Sequence, residues 1–430
     1  MKTTRRHLVA GTSALAVATA TGIRATTVAA QDVTTINWWH ITTNEEEAAH
    51  MQKAADDYMA ANPDVQIEIT VQENEAFKTR LTTVMQSGDP PDIFQSWGGG
   101  VLQQYAEAGL VRDITADLAK DGWGESFGQA GLGLYAADGK NYGVPWRLGM
   151  VGFWYRLSQF EEAGIEAVPT TWDEFLAAVE QLEAAGLTPI SLGGGDKWPA
   201  HFYWVYLAIR NGGQAAFDAA YSREGSFADP PFVKAGEDLL TLVDLDPFQN
   251  GSLGTTFPDA SATFATGEGA MMLMGQWLPG QLDGLTEDPE ALRADLGWFA
   301  FPVVEGGAGD PTDVLGGGDG FAIGVNAPDQ AVDFARFLTS AETQTAWAAA
   351  GFAVPPTVSV ATEAVTDANL LPLMDALGEA NYFQLYYDQF LPPAVGGVVN
   401  DQVQALIAGS TTPEAVAEAI EASFAAESGS

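Results

Sequence analysis

The sequence predicts an α/β protein whose sheets are mostly parallel and carry helices on both faces, and three observations indicate this class. The chain has 430 residues, a length that favours two or more lobes over a single core. Segments of strand character alternate with segments of helical character along most of the chain. The helical segments also begin and end on residues that favour helix termini, such as Asn44 and Gly88.

The first third of the chain shows this alternation most clearly. The strand TTINWW is followed by a helix over residues 44–61, which Asn44 begins and which has glutamates in its first turn. The strand VQIEITVQ and a helix that ends at Gly88 come next, and then the strand PPDIFQSW and the helix VLQQYAEAGL. In such a parallel sheet, ligands meet the carboxyl ends of the strands.

A second section begins near residue 141, at NYGVPWRLGMVGFWYR. Its predicted helices are TWDEFLAAVEQLEAAG and PAHFYWVYLAIRNGG, and the latter is expected to end at residues 211–213. The segments GWFAFPVVEGG and GGGDGFAIGVN have strand character, and the stretches 327–351 and 412–425 have helical character.

Two adjacent tryptophans, Trp38 and Trp39, lie at the end of the first predicted strand. Side chains alternate between the two faces of a sheet, so a single buried face takes only one of these indoles. We expect one indole to pack under a helix and the other to face a cleft. His40 and the loop to Asn44 are expected at the same ligand-binding edge.

Residues 1–30 have the layout of an export signal. They contain the arginine pair Arg5 and Arg6, an apolar stretch over residues 8–18 and small residues before Gln31. The arginine pair favours the twin-arginine route, with the general route as the alternative. Crossing a bilayer needs about 20 apolar residues, which this stretch does not reach. We therefore expect an exported protein, periplasmic or extracellular.

Charge and cysteine content exclude several classes of function. The net charge is −39, and because residues 1–30 hold four basic and no acidic residues, the remainder of the chain carries −43. Such a surface repels phosphate backbones, so nucleic acid is not an expected partner. The chain has no cysteine, which excludes disulfides, thiolate nucleophiles and a lipid anchor attached through cysteine.

The sequence has no motif for a cofactor or metal. HExxH, GxSxG, the GxxxxGK[ST] loop and a glycine fingerprint after a strand are all missing from it. Outside the leader, the histidines are His40, His50 and His201, and they have no ligand spacing. We therefore expect no metal site and no cofactor. With 57 acidic residues, a glycosidase pair of carboxylates stays open.

The positive signal is aromatic. The chain has 12 tryptophans, and several stand beside glycine runs, as in SWGGG, GGGDKW and GQW. A sugar ring stacks its C–H face on an indole, where aromatic contact adds roughly 0.5–1.5 kcal/mol, and its hydroxyl rim needs polar side chains. This pattern favours a carbohydrate ligand.

On these segments the chain resembles the extracellular sugar-binding proteins of ABC importers, solute-binding family 1. The matching segments are GDPPDIFQSWGGGVLQQYAEAGLVRDIT, YGVPWRLGMVGFWYRLSQFEEAGI and VPTTWDEFLAAVEQLEAAGLTPI, the last being the most specific. Arg156 replaces the family's usual asparagine. Gly396 and Gly397 stand where maltose-type members carry an aromatic residue, which argues against maltodextrin.

The resemblance implies a two-lobed periplasmic-binding-protein fold of type II-like topology, with several hinge crossovers. One lobe would comprise residues 32–145 and 298–326, and the other residues 146–297 and 327–430. The family closes its lobes on the sugar and docks on a membrane-embedded ABC permease. The expected function is therefore binding and delivery of a small oligosaccharide of the xylo- or gluco-oligosaccharide type, by a monomer with no catalytic activity.

The resemblance also implies which positions contact the sugar. The expected ligand-binding residues, from first strand to last, are Trp39, His40, Asn44, Trp97, Trp146, Arg147, Lys197, His201, Trp204, Trp277 and Asp319.

Two other functions stay open from the sequence. One is a secreted glycoside hydrolase or lyase, which would share the aromatic and acidic residues but turn its ligand over. The other is a binding protein for a non-sugar solute such as a polyamine or iron, for which Tyr386 and Tyr387 are candidate ligands.

Overall fold

The structure is a computed structural model, and it describes residues 33–352, 354–355 and 364–429. The export signal predicted for residues 1–30 lies outside these described residues. In the described ranges, none of the helices combines the length and the apolar character that a membrane span requires. Strands and helices alternate as expected, and the predicted α/β class is confirmed.

The described residues form ten strands and eighteen α-helices. The strands are β1 Thr34–His40, β2 Val65–Val71, β3 Ile93–Ser96, β4 Ala136–Ala137, β5 Lys140–Asn141, β6 Gly143–Arg156, β7 Met271–Gly275, β8 Leu296–Phe299, β9 Val314–Ile323 and β10 Phe383–Leu385. The helices are α1 Glu45–Ala61, α2 Asn74–Ser87, α3 Gly99–Glu107, α4 Thr115–Leu118, α5 Gln129–Gly133, α6 Leu157–Ala163, α7 Trp172–Ala184, α8 Trp198–Tyr221, α9 Pro230–Val243, α10 Phe257–Ala265, α11 Leu278–Asp283, α12 Pro289–Ala294, α13 Asp329–Leu338, α14 Ala341–Ala349, α15 Leu371–Gly378, α16 Tyr387–Phe390, α17 Pro393–Ile407 and α18 Pro413–Glu427.

The main sheet follows the order β2-β1-β3-β9-β6-β7, with β10 added beside β9 and β8 beside β6. Strand β1 pairs in parallel with β2 and β3, and β10 pairs in parallel with β9. The two long strands β6 and β9 run antiparallel to each other. The first half of β6 pairs with β9, and its second half pairs with β7 and β8. Strand β6 therefore crosses from one part of the molecule to another.

Local sequence explains where the helices begin and end. The Asn44 side chain accepts the backbone N–H groups of Glu46 and Glu47 at 3.0 Å and so caps α1. Gly88 ends α2 with φ 76°, as predicted. The predicted helix end at residues 211–213 is confirmed, because α8 consists of two helical segments that meet at a kink there. Gly213 (φ 61°) interrupts the helical path, because glycine takes this conformation without steric cost, and the helix then resumes to its end.

Hydrophobic cores lie on both faces of the β1–β3 region. One core contains Trp38 with Phe321, and the other contains Trp39 with Phe77 and Phe94. A third and larger core surrounds the second half of β6, β7 and helices α7 to α9.

Helices α13 and α14 pack on the first of these cores, through Phe334 and Trp347. The resemblance to the family implies that residues 327–430 belong to the second lobe. The lobe boundaries stay a prediction, and this packing favours placing α13 and α14 with residues 32–145.

Candidate ligand-binding site

A cleft lies where the segment after β1, the crossing strands β6 and β9, and the starts of α8 and α11 come together. It encloses about 1050 Å³ of empty space, part of it open to solvent. Concave surfaces lined by aromatic side chains and a few polar groups are typical binding sites for small molecules.

One wall of the cleft presents a single indole. Trp97 follows β3 and is half-buried. Its ring contacts Phe77 edge-on, with centroids 6.2 Å apart, and the Lys78 Nζ lies 5.5 Å from its centroid. Part of the indole remains free to contact a ligand.

The opposite wall is a group of aromatic side chains from four segments. Trp198 and Phe202 come from α8, Phe257 begins α10, Trp277 precedes α11 and Tyr386 precedes α16. Trp198 lies 4.9 Å from Phe257 and 6.3 Å from Trp277 between ring centroids, and Phe202 lies 5.2 Å from Tyr386. The second wall is therefore a continuous aromatic surface.

A buried charge network forms the base of the cleft, where the crossing strands meet α1. Arg147 on β6 contacts Glu47 Oε1 at 2.7 Å through Nη1 and donates to Asp319 on β9 through Nε. Gln95 Nε2 donates to the other oxygen of Asp319 at 2.8 Å. The guanidinium also lies 4.3 Å from the Trp146 ring centroid. Both oxygens of Asp319 are therefore bonded to protein donors.

Burial and pairing act in opposite directions on the pKa values of this network. Burial raises the pKa of Glu47, although the neighbouring Arg147 acts to lower it. Burial acts to lower the pKa of Arg147, but the carboxylates of Asp319 and Glu47 outweigh it and raise that pKa. The guanidinium stays charged.

Asn44 connects two sides of the cleft. Its Oδ1 caps α1, and its Nδ2 donates to the Gly280 carbonyl of α11 at 2.9 Å. The segment after β1 is thereby joined to the helix that follows Trp277.

The structure brings five of the sequence-predicted site residues together in the cleft. These residues are Asn44, Trp97, Arg147, Trp277 and Asp319. Whether they contact a ligand stays a prediction.

Neither indole of the pair at the end of β1 lines the cleft, although the sequence suggested that one would. Trp38 packs under α13, with its ring 5.2 Å from Phe334. Trp39 is buried under α2 on the other face, and the Arg80 guanidinium lies 4.3 Å from its ring. Helices cover both faces of the sheet, so both indoles have a buried environment.

His40 and Trp146 lie behind the cleft wall. His40 is buried, and its Nδ1 accepts the backbone N–H of Thr42 at 3.2 Å. Trp146 is buried between Phe321, which it stacks on, and Trp347. The Arg147 guanidinium lies over its ring, at a point where a β-bulge between Pro145 and Arg147 interrupts the regular alternation of β6.

The residues expected from the start of α8 also lie outside the cleft lining. Lys197 forms an ion pair with Asp401 at 2.6 Å. His201 is fully buried behind Asp388, with Nε2 3.9 Å from Oδ1. Trp204 packs against Phe232 in the large core.

Helical periodicity explains this outcome on α8. Trp198 and Phe202 are four residues apart and share one face, which lines the cleft. Trp204 is six residues from Trp198 and lies on the far side. The four-residue spacing of Trp198 and Phe202 is the feature of the sequence that indicates this face.

Two other lining residues, Gln276 and Tyr386, are not among the expected sugar-binding residues. They reach the cleft only because β7 and the chain before α16 pack beside β6 and β9.

The glycine runs allow aromatic rings to approach the strands closely. A Cβ on Gly317 would lie 2.3 Å from the Tyr386 ring, and one on Gly396 would lie 2.7 Å from the Asp388 backbone. Helix α17 therefore packs directly on α16, and the Asp388 backbone of α16 occupies the space beside Gly396.

Sequence comparison identifies the family. The profile described as "Bacterial extracellular solute-binding protein" matches residues 42–345, well over half of the chain. The chain belongs to this family. Two solute-binding relatives are the multiple sugar-binding protein of Streptococcus mutans and a probable sugar-binding periplasmic protein of Mesorhizobium japonicum. The first is 27% identical over 72% of each chain, and the second is 26% identical over 97% of this chain and 98% of the relative.

Solved structures share the fold of this solute-binding protein. A chain solved in work on xylan utilization by the thermophilic bacterium Caldanaerobius polysaccharolyticus matches with TM-score 0.83 and 27% identity, over 90% of this chain and 99% of that chain. A chitin oligosaccharide binding protein matches with TM-score 0.81 and 28% identity, over 91% and 98%. These neighbours are two-lobed solute-binding proteins, as the sequence led us to expect.

Substituting Gly275 by alanine in this solute-binding protein is expected to lower the free energy of unfolding by about 1–3 kcal/mol, the usual cost of overpacking. The new Cβ would lie 2.1 Å from the Trp277 ring and would displace it. Gly280→Ala is the matched control, because nothing lies within 4 Å of its Cβ position and α11 favours alanine. Equal stability of the two variants in urea unfolding would contradict the prediction.

Proposed function

We propose that this protein binds a small oligosaccharide of the xylo- or gluco-oligosaccharide type and delivers it to an ABC permease by lobe closure. One observation carries the proposal: indoles are presented from both walls of a single cleft, Trp97 from one wall and Trp198 and Trp277 from the other. A flat sugar ring with two apolar faces fits between such walls.

The polar groups of the cleft suit the hydroxyl rim of a sugar. Gln276 Oε1, Tyr386 Oη and Trp198 Nε1 are buried, and none has a hydrogen-bond partner among the described residues. Buried polar groups normally find a partner, so these atoms favour a ligand rich in donors and acceptors. The names of the relatives, which include sugar-binding and chitin oligosaccharide binding proteins, support the same class of ligand.

Closure would couple ligand binding to delivery. Strands β6 and β9 run between the two parts of the molecule and act as the hinge in this proposal. A ligand that contacts both walls favours the closed form, and moving the population from 1:99 to 99:1 needs about 5.5 kcal/mol of differential affinity. We propose that the exported protein acts as a monomer, with residues 1–30 removed as its signal.

The carboxylates at the base of the cleft favour binding over catalysis. Glu47 and Asp319 both contact Arg147, and Asp319 also accepts from Gln95, so neither is free to act as a general acid or base. Tyr386 lines the cleft, whereas Tyr387 is in the core, so the two tyrosines do not converge on an iron ion. The relatives named above are likewise binding proteins.

Isothermal titration calorimetry against a panel of xylo-, cello- and chito-oligosaccharides tests the proposal. Trp97→Ala and Trp277→Ala are each expected to weaken binding of the best ligand by about 10–100-fold, from lost stacking and lost apolar burial. Tyr221→Ala is the control, because this aromatic residue is exposed at the end of α8, outside the cleft lining.

Two results would contradict the proposal. One is unchanged affinity in both tryptophan variants. The other is release of new reducing ends during incubation with the panel, which would indicate a hydrolase. A rise in melting temperature with one oligosaccharide would identify the ligand, because a ligand that binds the folded state stabilises it.

A further inference from the structure

The positively charged side chains that line the cleft form ion pairs with carboxylates of the protein. Within the described part of the lining, the cationic side chains are Lys78 and Arg147. Lys78 Nζ lies 2.9 Å from Glu75, and Arg147 is held between Glu47 and Asp319. Arg147 has no carboxylate-free side to offer an anionic ligand, and Lys78 is partly neutralised by Glu75.

One lining carboxylate, by contrast, has weak protein contacts. The Asp388 side chain is 8% exposed, and its contacts are Asn400 Nδ2 at 3.5 Å and His201 Nε2 at 3.9 Å. Burial lowers the pKa of His201, so this imidazole is neutral at physiological pH and does not offset the charge. Asp388 therefore presents to the cleft a carboxylate that forms no ion pair with a lysine or arginine among the described residues.

The unpartnered atoms in the same cleft point to a ligand beside this charge. Gln276 and Tyr386 are each 6% exposed and Trp198 is 8% exposed, and each carries a polar atom without a partner in the described structure. A hydroxyl-bearing ligand satisfies these atoms and can also donate to the Asp388 carboxylate. Hydrogen bonds to an ionised acceptor are the stronger kind.

We propose that the cleft selects uncharged oligosaccharides and rejects those that carry a uronic acid, and that Asp388 determines this selectivity. The inference rests on the proposed function and specifies its class of sugar. An acidic sugar gives up the hydration of its carboxylate on entry and meets a like charge in its place. A neutral sugar donates hydroxyl hydrogens to the same carboxylate.

The test compares matched pairs of ligands by calorimetry. The pairs are cellotriose with cellotriose oxidised at one C6 to the carboxylate, and xylotriose with xylotriose bearing one glucuronic acid. Each pair is measured with the wild-type protein at low and high salt. The acidic member of each pair is expected to bind at least about tenfold more weakly than the neutral member at both salt concentrations, because salt screens a buried charge less than a surface charge.

Substitutions then locate the selectivity. Asp388→Asn is expected to reduce the ratio of the affinity for the neutral sugar to the affinity for the acidic sugar by about threefold or more. The reason is that the amide keeps the shape of the carboxylate and removes its charge. Asp375→Asn, at an exposed position on α15, is expected to leave the ratio unchanged.

Three results would overturn the inference while the proposed function stands. They are equal binding of both members of a pair, a ratio that Asp388→Asn does not alter, and a ratio that disappears at high salt. The last would assign the rejection to the net charge of the surface instead of the cleft. The salt comparison needs no substitution. If neither neutral trisaccharide nor any other neutral sugar of the panel binds, the proposed function and this inference both fail.

Discussion

Replacing Arg147 by methionine is expected to lower the free energy of unfolding by about 3–5 kcal/mol at neutral pH, the cost of breaking a buried ion pair. The guanidinium contacts Glu47 and Asp319, and all three side chains are largely buried. Without the guanidinium, the carboxylates of Glu47 and Asp319 remain close to each other in a buried region, with no positive charge between them. The loss should appear in urea unfolding followed by circular dichroism.

The same substitution should also change how stability depends on pH. Burial raises the pKa of Glu47, and Arg147 opposes that rise. In the variant, Arg147 no longer lowers the pKa of Glu47. The folded protein therefore takes up a proton more readily than the unfolded chain. Stability of the variant should therefore recover as the pH falls from 7 towards 5.

Two further variants make the Arg147 result interpretable. Lys53→Met breaks a surface pair with Asp57, in which the side chains are 69% and 53% exposed, and should cost less than about 1 kcal/mol. Adding Asp319→Asn to Arg147→Met should restore part of the lost stability. If Arg147→Met lowers the free energy of unfolding no more than Lys53→Met does, the buried charge network does not stabilise the fold as we infer.

Stability is expected to fall by about 3 kcal/mol through His40 alone as the pH drops from 6.5 to 4. Burial lowers the pKa of His40 to about 4, whereas the unfolded chain titrates near the ordinary value of 6.5. Between these values the unfolded chain binds more protons than the folded protein. The stabilisation is complete above pH 6.5 and is lost as the pH falls through the folded pKa.

The geometry of His40 accounts for its resistance to protonation. Its Nδ1 accepts the Thr42 backbone N–H, so a second proton there would break this hydrogen bond inside a buried site. Unfolding of His40→Gln followed from pH 7 to pH 4 should show a shallower dependence than the wild type. His50→Gln, on the partly exposed face of α1, is the control, and equal slopes in all three proteins would show the prediction to be wrong.

The class and most element termini follow from local sequence. Asn44 caps α1 through two backbone N–H groups, Gly88 ends α2, and Thr171 with Glu174 forms a capping box at α7. These features depend on residues within one turn of each other, so the sequence contains all the information they need. The interruption at Gly213 is local as well, because glycine takes the φ of 61° found there without steric cost.

The site was only partly predictable. Asn44, Trp97, Arg147, Trp277 and Asp319 line the cleft, and they stand at strand ends, on the crossing strands or beside glycine runs. The other six predicted residues lie in cores or at an ion pair. Their residue type suited a sugar, but residue type does not specify which face a side chain occupies.

The sequence by itself determined the α/β class, the family, the helix termini and the abundance of aromatic side chains. Only the tertiary structure decided which of those rings meet in a cleft and which charges are already paired. The adjacent tryptophans illustrate the physical reason: strand alternation places Trp38 and Trp39 on opposite faces, but whether a face is covered depends on helices from elsewhere in the chain. Asp388, His201 and Tyr386 likewise acquire their environment from segments distant in the sequence.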